Sequence, residues 1–175
     1  GHREPNRSDF TDRKPGTPLP QPEQMFDWEA GYRVSRSKWL FRSNLYFMDY
    51  RNQLVLTGAV NDVGTPLRQN VARSYRAGIE LEAARSLGSR FSIAGNLSLS
   101  QNRIRNFSEY VSNYDNYSTE IISYGLTPIA FSPAAVGAAI LSWKPRKHWD
   151  VALNNKYVSR QFMDNTGRRE ATLNP

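Results

Sequence analysis

The stretch Phe91-Ser92-Ile93-Ala94-Gly95-Asn96-Leu97-Ser98-Leu99-Ser100 decides the fold. Phe91, Ile93, Gly95, Leu97 and Leu99 fall on one side of an extended chain, and Ser92, Ala94, Asn96, Ser98 and Ser100 fall on the other. A period of two puts alternate side chains on opposite faces of a strand, so this segment has one apolar and one polar face. The same rhythm recurs upstream. Tyr75, Ala77, Ile79, Leu81 and Ala83 alternate with Arg76, Gly78, Glu80 and Glu82. Before them, Trp39, Phe41, Ser43, Leu45 and Phe47 alternate with Arg42, Asn44, Tyr46 and Met48, in a strand that continues to Leu56. Earlier still, Trp28, Ala30, Tyr32 and Val34 alternate with Asp27, Glu29, Gly31 and Arg33. Downstream, 134–143 forms a strand of small residues, and Trp149, Val151, Leu153 and Tyr157 stand opposite Asp150, Ala152, Asn154 and Lys156.

The connections alternate in length. Ser35-Arg36-Ser37-Lys38, Ser86-Leu87-Gly88-Ser89 and Pro145-Arg146-Lys147 are short turns. Thr57 to Arg73 and Asn106 to Phe131 read as long loops, and the Pro-rich stretch before Gln24 reads as loop as well. Short turns at one end and long loops at the other are the arrangement of an up-and-down transmembrane β-barrel. Each hairpin spans more than the roughly 9–11 residues that a tilted strand needs to cross a bilayer, and Trp39 to Leu56 is long enough to project beyond it. Trp39, Phe91, Trp143 and Trp149 stand where apolar strands meet short turns, the headgroup level that amphipathic rings prefer. A soluble β-sandwich would place aromatics mid-strand and keep its loops similar at both ends. The expected fold is therefore all-β, made of antiparallel up-and-down transmembrane strands. Backbone N–H and C=O groups must all be paired in hydrocarbon, so such a sheet has to close. Only about six strands are legible, fewer than the roughly eight of the smallest common barrels. The chain is expected to be a segment of a larger barrel.

Composition excludes several other classes. A mean hydropathy of -0.64 and the lack of any long apolar run exclude a bundle of spanning helices, but not strands that show lipid one face only. With no cysteine, the chain has no thiol nucleophile or disulfide. His2 and His148 are far apart, which is a poor basis for a metal site; no metal or cofactor is expected. The net charge of +7 is scattered over strand ends and loops rather than gathered in one stripe. That argues against nucleic acid and leaves solvated loops or anionic lipopolysaccharide.

Four segments resemble one family in order. Glu4-Pro5-Asn6-Arg7-Ser8-Asp9-Phe10 is similar to the E-P-x-R-x-D-[FY] segment of TonB-dependent receptor barrels. Pro22-Glu23-Gln24-Met25-Phe26-Asp27-Trp28-Glu29-Ala30-Gly31-Tyr32 resembles the P-E-x-x-x-D-[WYF]-E-x-G-Y strand that follows it. Asp49 to Gly58 and Asn70 to Glu82 are similar to later strand ends. The resemblance spans nearly the whole chain. It implies the C-terminal part of a barrel of about 22 strands, with residues 1–175 as a partial barrel domain and the plug domain and last strands outside it. It implies an outer-membrane transporter of a Gram-negative bacterium for active uptake of a ferric siderophore, haem, cobalamin or glycan. Its partners would be that ligand, outer-membrane lipid and lipopolysaccharide, and the TonB complex acting through the plug. The alternatives are a soluble all-β binding module for glycan or protein and a passive porin-like barrel.

Arg7, Asp9, Glu29, Arg33, Glu80 and Glu82 are candidates for a plug-facing or lumenal surface, because charges at alternate strand positions suit a hydrated lumen. The bland reading of the Arg7 and Asp9 cluster is a structural ion-pair network. Glycosidase chemistry needs two carboxylates facing each other across a cleft, and nothing in Glu29, Glu80 and Glu82 demands that; the chain is expected not to be an enzyme. Tyr110, Tyr114 and Tyr117, in a loop rich in Tyr and Asn, are the candidates for ligand contact, since such residues supply stacking area and hydrogen bonds at low entropic cost.

Overall fold

The computed structural model describes residues 1–13, 17–61, 63–113 and 118–175. Its elements in chain order are β1 (His2–Arg3), α1 (Arg7–Thr11), β2 (Glu23–Arg36), β3 (Trp39–Val60), β4 (Pro66–Leu87) and β5 (Phe91–Arg105). Then come β6 (Ser108–Asn113), β7 (Ser118–Ser123), β8 (Leu126–Pro128), β9 (Ala135–Trp143), β10 (Val151–Val158), β11 (Gln161–Phe162) and β12 (Thr172–Leu173). One antiparallel sheet carries the order β1-β2-β3-β4-β5-β9-β10, with β8 pairing the far end of β5. The sheet is open, with β10 at one side and β2, paired over two residues by the short β1, at the other.

The alternation in the sequence becomes two faces because the registers agree in parity from strand to strand. Trp28 pairs with Phe47, Phe47 with Ala77, and Ala77 with Gln101. Lower down, Leu45 pairs with Ile79 and Ile79 with Leu99; Leu81 pairs with Leu97, and Leu97 with Gly137. A one-residue slip anywhere would mix the faces. The apolar face is not covered: Trp28 is 57% and Leu45 55% exposed. It is bounded by aromatics at both ends. At the short-turn end, Phe91 stacks on Trp143 at 5.9 Å, and Trp39 stands at the start of β3 two strands away. At the long-loop end, Phe26, Trp28, Phe47 and Tyr75 form a continuous row with ring centroids 6.3, 5.8 and 6.0 Å apart. The stretch from Trp39 to Phe47 is about 27 Å along the strand, or about 20 Å of height at a tilt of about 40°, close to the apolar band of a membrane barrel.

Where the structure differs from the sequence reading, it has more regular structure. The loop expected at Thr57 to Arg73 is mostly strand: β3 and β4 are each 22 residues long and stay paired through Leu56–Arg68 to Val60–Pro66. At about 3.3 Å per residue each is about 70 Å long, so each runs well past a bilayer. The loop expected at Asn106 to Phe131 contains the β6–β7 hairpin and β8. The segment before Gln24 holds β1, α1 and the first residue of β2. Asn6 caps α1 in a capping box: Asn6 Oδ1 accepts from the Asp9 amide at 3.0 Å, and the Asp9 carboxylate accepts from the Asn6 amide at 2.8 Å. Trp149 stands in the turn before β10 rather than in the strand. The short turn Gly88–Arg90 depends on a left-handed residue, and Gly88 supplies it at φ +79°.

The buried core lies at the long-loop end. Val55, Val71, Ile104, Phe107 and Ile129 pack together, with Tyr124 against them. Ile104 and Phe107 are almost fully buried. Asn165, in the segment between β11 and β12, is also fully buried. Its amide donates to the Leu56 carbonyl, and its Oδ1 accepts from the Ala130 amide at 2.8 Å. The C-terminal segment is thereby tied to the projecting end of β3.

Candidate functional site

The polar face is built from cross-strand rows. Arg33 pairs with Arg42, Arg42 with Glu82, and Glu82 with Asn96. In the next row, Gly31 pairs with Asn44, Asn44 with Glu80, and Glu80 with Ser98. Arg42 meets Glu82 at 3.0 Å, and Asn44 Nδ2 donates to Glu29 Oε2 at 3.2 Å. A hollow of about 640 Å³ on this face is lined by Arg33, Arg42, Asn44, Glu80 and Glu82. Further along, Arg76 donates to Ser132 Oγ at 3.0 Å and so ties the wall to the segment between β8 and β9. Glu29, Arg33, Glu80 and Glu82 thus share one surface. Arg76 lies on it as well, in keeping with its alternate position beside Tyr75 and Ala77, and so do Arg42 and Asn44, which the sequence reading did not select although their alternate positions were the available signal.

Arg7 and Asp9 stand elsewhere, on α1 near the end of the β3–β4 hairpin. Asp9 is buried in the capping box, 3.7 Å from Arg68, and Asn61 donates to Asp12 Oδ2 at 3.1 Å from the hairpin end. Arg7 is exposed on the first turn. Tyr110 sits on β6 opposite Ile121, in a hairpin separate from the wall. Tyr114 and Tyr117 lie outside the described residues.

The β6–β7 hairpin is fastened to the C-terminal segment by three side chains. Tyr124 Oη donates to Glu109 Oε2 at 2.8 Å, Arg168 pairs with the same carboxylate oxygen at 2.6 Å, and Arg168 also donates to Tyr124 Oη. The guanidinium lies 5.8 Å from the Tyr124 ring centroid. The Tyr124 hydrogen bond, with the Glu109 charge second, raises the Arg168 pKa above the ordinary guanidinium value. Among the described residues, no three His, Asp or Glu side chains converge as metal ligands would.

A sheet with an uncovered apolar face between two aromatic rows, a charged opposite face, and strands that outrun a bilayer defines the wall of a membrane β-barrel. The profile of the family "TonB dependent receptor-like, beta-barrel" matches residues 3–173, and the chain belongs to that family. Solved structures agree on the fold. The copper transporter OprC superposes with a TM-score of 0.64 at 14% identity, over 93% of this chain and 23% of its own. The siderophore receptor PiuA from Acinetobacter baumannii gives 0.58 at 14% identity, over 83% of this chain and 20% of its own. The FrpB iron transporter from Neisseria meningitidis gives 0.52 at 14% identity, over 81% and 20%. The chain thus spans about a fifth to a quarter of the length of these structures. No curated protein sequence matches it.

Proposed function

We propose that the chain forms part of the wall and outer loops of an outer-membrane transporter that takes up a scarce nutrient, in the class of ferric siderophores, haem, cobalamin or glycans, driven by TonB. The observation that carries this reading is the division of the sheet into an apolar face between two aromatic rows and a polar face bearing Glu29, Arg33, Glu80 and Glu82. Apolar side chains exposed on that scale suit acyl chains rather than water. In this reading the polar rows line a hydrated lumen and face a plug domain. The core around Phe107 holds the loops above the bilayer, and the loop carrying Tyr110, Tyr114 and Tyr117 touches ligand. Membership in the TonB-dependent receptor family supports the transport reading.

The chain has no cysteine of its own, so a single introduced cysteine reports its position once any cysteine elsewhere in the receptor is replaced by serine. Leu45→Cys and Leu97→Cys on the apolar face, and Asn44→Cys and Ser98→Cys on the polar face, are introduced into the full-length receptor in membranes. The expected result is that a lipophilic maleimide labels the first pair and a membrane-impermeant one labels only the second, once the plug is released by denaturant. Rapid labelling of Leu45→Cys by the impermeant reagent in intact membranes would overturn the reading. Uptake of ferric siderophore, haem, cobalamin or oligosaccharide that requires TonB then identifies the ligand class.

A further inference from the structure

The apolar face carries a feature that the transport reading does not use. Next to the aromatic row at the long-loop end, Arg51 pairs with Arg73 and Arg73 with Arg105, across β3, β4 and β5. Arg103 follows one step nearer the bilayer on β5, opposite Tyr75. These side chains share the face of the aromatics. The Arg51 guanidinium lies 5.7 Å from the Phe26 ring centroid, and that of Arg105 lies 5.7 Å from the Tyr75 centroid. Tyr75 in turn belongs to the Phe26–Trp28–Phe47 row.

Like charges directly opposite on neighbouring strands destabilise a sheet. Here three arginines are aligned, and the carboxylate beside them is Asp49, 3.1 Å from Arg73. Among the described residues, no carboxylate stands within ion-pair distance of Arg51, Arg103 or Arg105. Such a row is relieved by a polyanion. Guanidinium forks bind phosphate in a bidentate way, and stacking on an aromatic ring holds them in place.

The height of the row selects the anion. Long loops mark the outer side of a membrane barrel, and the aromatic row marks the interface. We propose that Arg51, Arg73 and Arg105, with Arg103, bind the phosphates of the phosphorylated glycolipid in the outer leaflet, while its acyl chains lie along the apolar face below. The inference rests on the membrane orientation proposed above, and it does not depend on the transported ligand.

The test uses the full-length receptor refolded in detergent free of lipopolysaccharide. Bisphosphorylated lipid A is expected to raise its thermal unfolding midpoint. The triple variant R51Q/R73Q/R105Q is expected to lose more than half of that shift, and R90Q/R146Q/K147Q, at the short-turn end, to keep it. Dephosphorylated lipid A is expected to give only the residual shift, and inorganic phosphate none. An undiminished shift in R51Q/R73Q/R105Q, or an equal shift from dephosphorylated lipid A, overturns the proposal. An equal shift from inorganic phosphate also overturns it and identifies a free-phosphate site instead. If the triple variant does not refold, the wild type decides: lipid A affinity is expected to fall at least tenfold between about 50 and 300 mM salt, and salt-independent binding overturns the proposal. Loss of nutrient uptake with the lipid A shift intact bears on the transport reading alone.

Discussion

Tyr46 and Gly78 face each other across β3 and β4, and the Tyr46 phenol fills the space that a side chain at position 78 would take. A Cβ at 78 would stand 2.6 Å from Tyr46 Oη and 2.5 Å from the Leu99 carbonyl oxygen on β5. The first contact is with a movable side chain, and the second is with backbone in the next ladder. An aromatic ring laid over a cross-strand glycine covers exposed backbone and holds the register.

Gly78→Ala is therefore expected to destabilise the barrel by about 1–3 kcal/mol, the usual cost of overpacking. Urea unfolding of the full-length receptor in lipid vesicles measures it. Adding Tyr46→Ala should restore only part of the loss, because the clash with the Leu99 carbonyl remains. Full restoration would show that the tyrosine alone sets the requirement for glycine.

Charge on the apolar face should cost according to depth. Leu81 stands midway between the two aromatic ends, opposite Ser43 and Leu97, whereas Leu87 stands beside Phe91 at the short-turn end. Leu81→Arg is expected to cost about 2–4 kcal/mol and Leu87→Arg about 0–1 kcal/mol in vesicles. Equal costs at the two depths would remove the bilayer from the account of this face.

Asn165 is fully buried and serves two backbone groups at once, the Leu56 carbonyl and the Ala130 amide. Asn165→Ala leaves both without that partner, and a loss of about 1–3 kcal/mol is expected in the same unfolding measurement. Asn165→Asp keeps the acceptor for Ala130 and loses the donor to Leu56, so it should also destabilise. A neutral Asn165→Asp would mean that water replaces the donor.

Arg168→Gln should release the β6–β7 hairpin from the C-terminal segment, since Arg168 holds both Glu109 and Tyr124. The expected result is faster proteolytic cleavage between Phe107 and Tyr124, with the barrel's unfolding midpoint little changed. The raised Arg168 pKa gives the sign of the pH dependence: its contribution is complete below the unfolded arginine pKa and is lost only as pH rises through the higher folded value. Cleavage of the wild type should therefore show no change attributable to Arg168 between about pH 6 and 9. An unchanged cleavage rate in Arg168→Gln would mean that other contacts hold the hairpin.

The alternating residues from Trp28 to Tyr157 determined antiparallel strands with one apolar and one charged face, and Gly88 and Lys38 marked short turns, because side-chain direction within a strand follows from chain geometry alone. Glu29, Arg33, Glu80 and Glu82 were legible as one polar surface for the same reason. What the sequence left open was every relation between strands. The Phe26–Trp28–Phe47–Tyr75 row, the Arg51–Arg73–Arg105 row and the Tyr46–Gly78 pair exist only in the registers, which cross-strand hydrogen bonds set. The paired stretch beyond Thr57 was hidden because Asn61, Gly64 and Pro66 are turn-forming residues that read as one long loop, whereas they occupy only the end of the β3–β4 hairpin and the first position of β4. Asp9 read either as a lumenal charge or as a member of a structural ion-pair network, and its place in the fold came from tertiary structure: it caps α1 and lies 3.7 Å from Arg68, a partner fifty-nine positions away that no local pattern reveals.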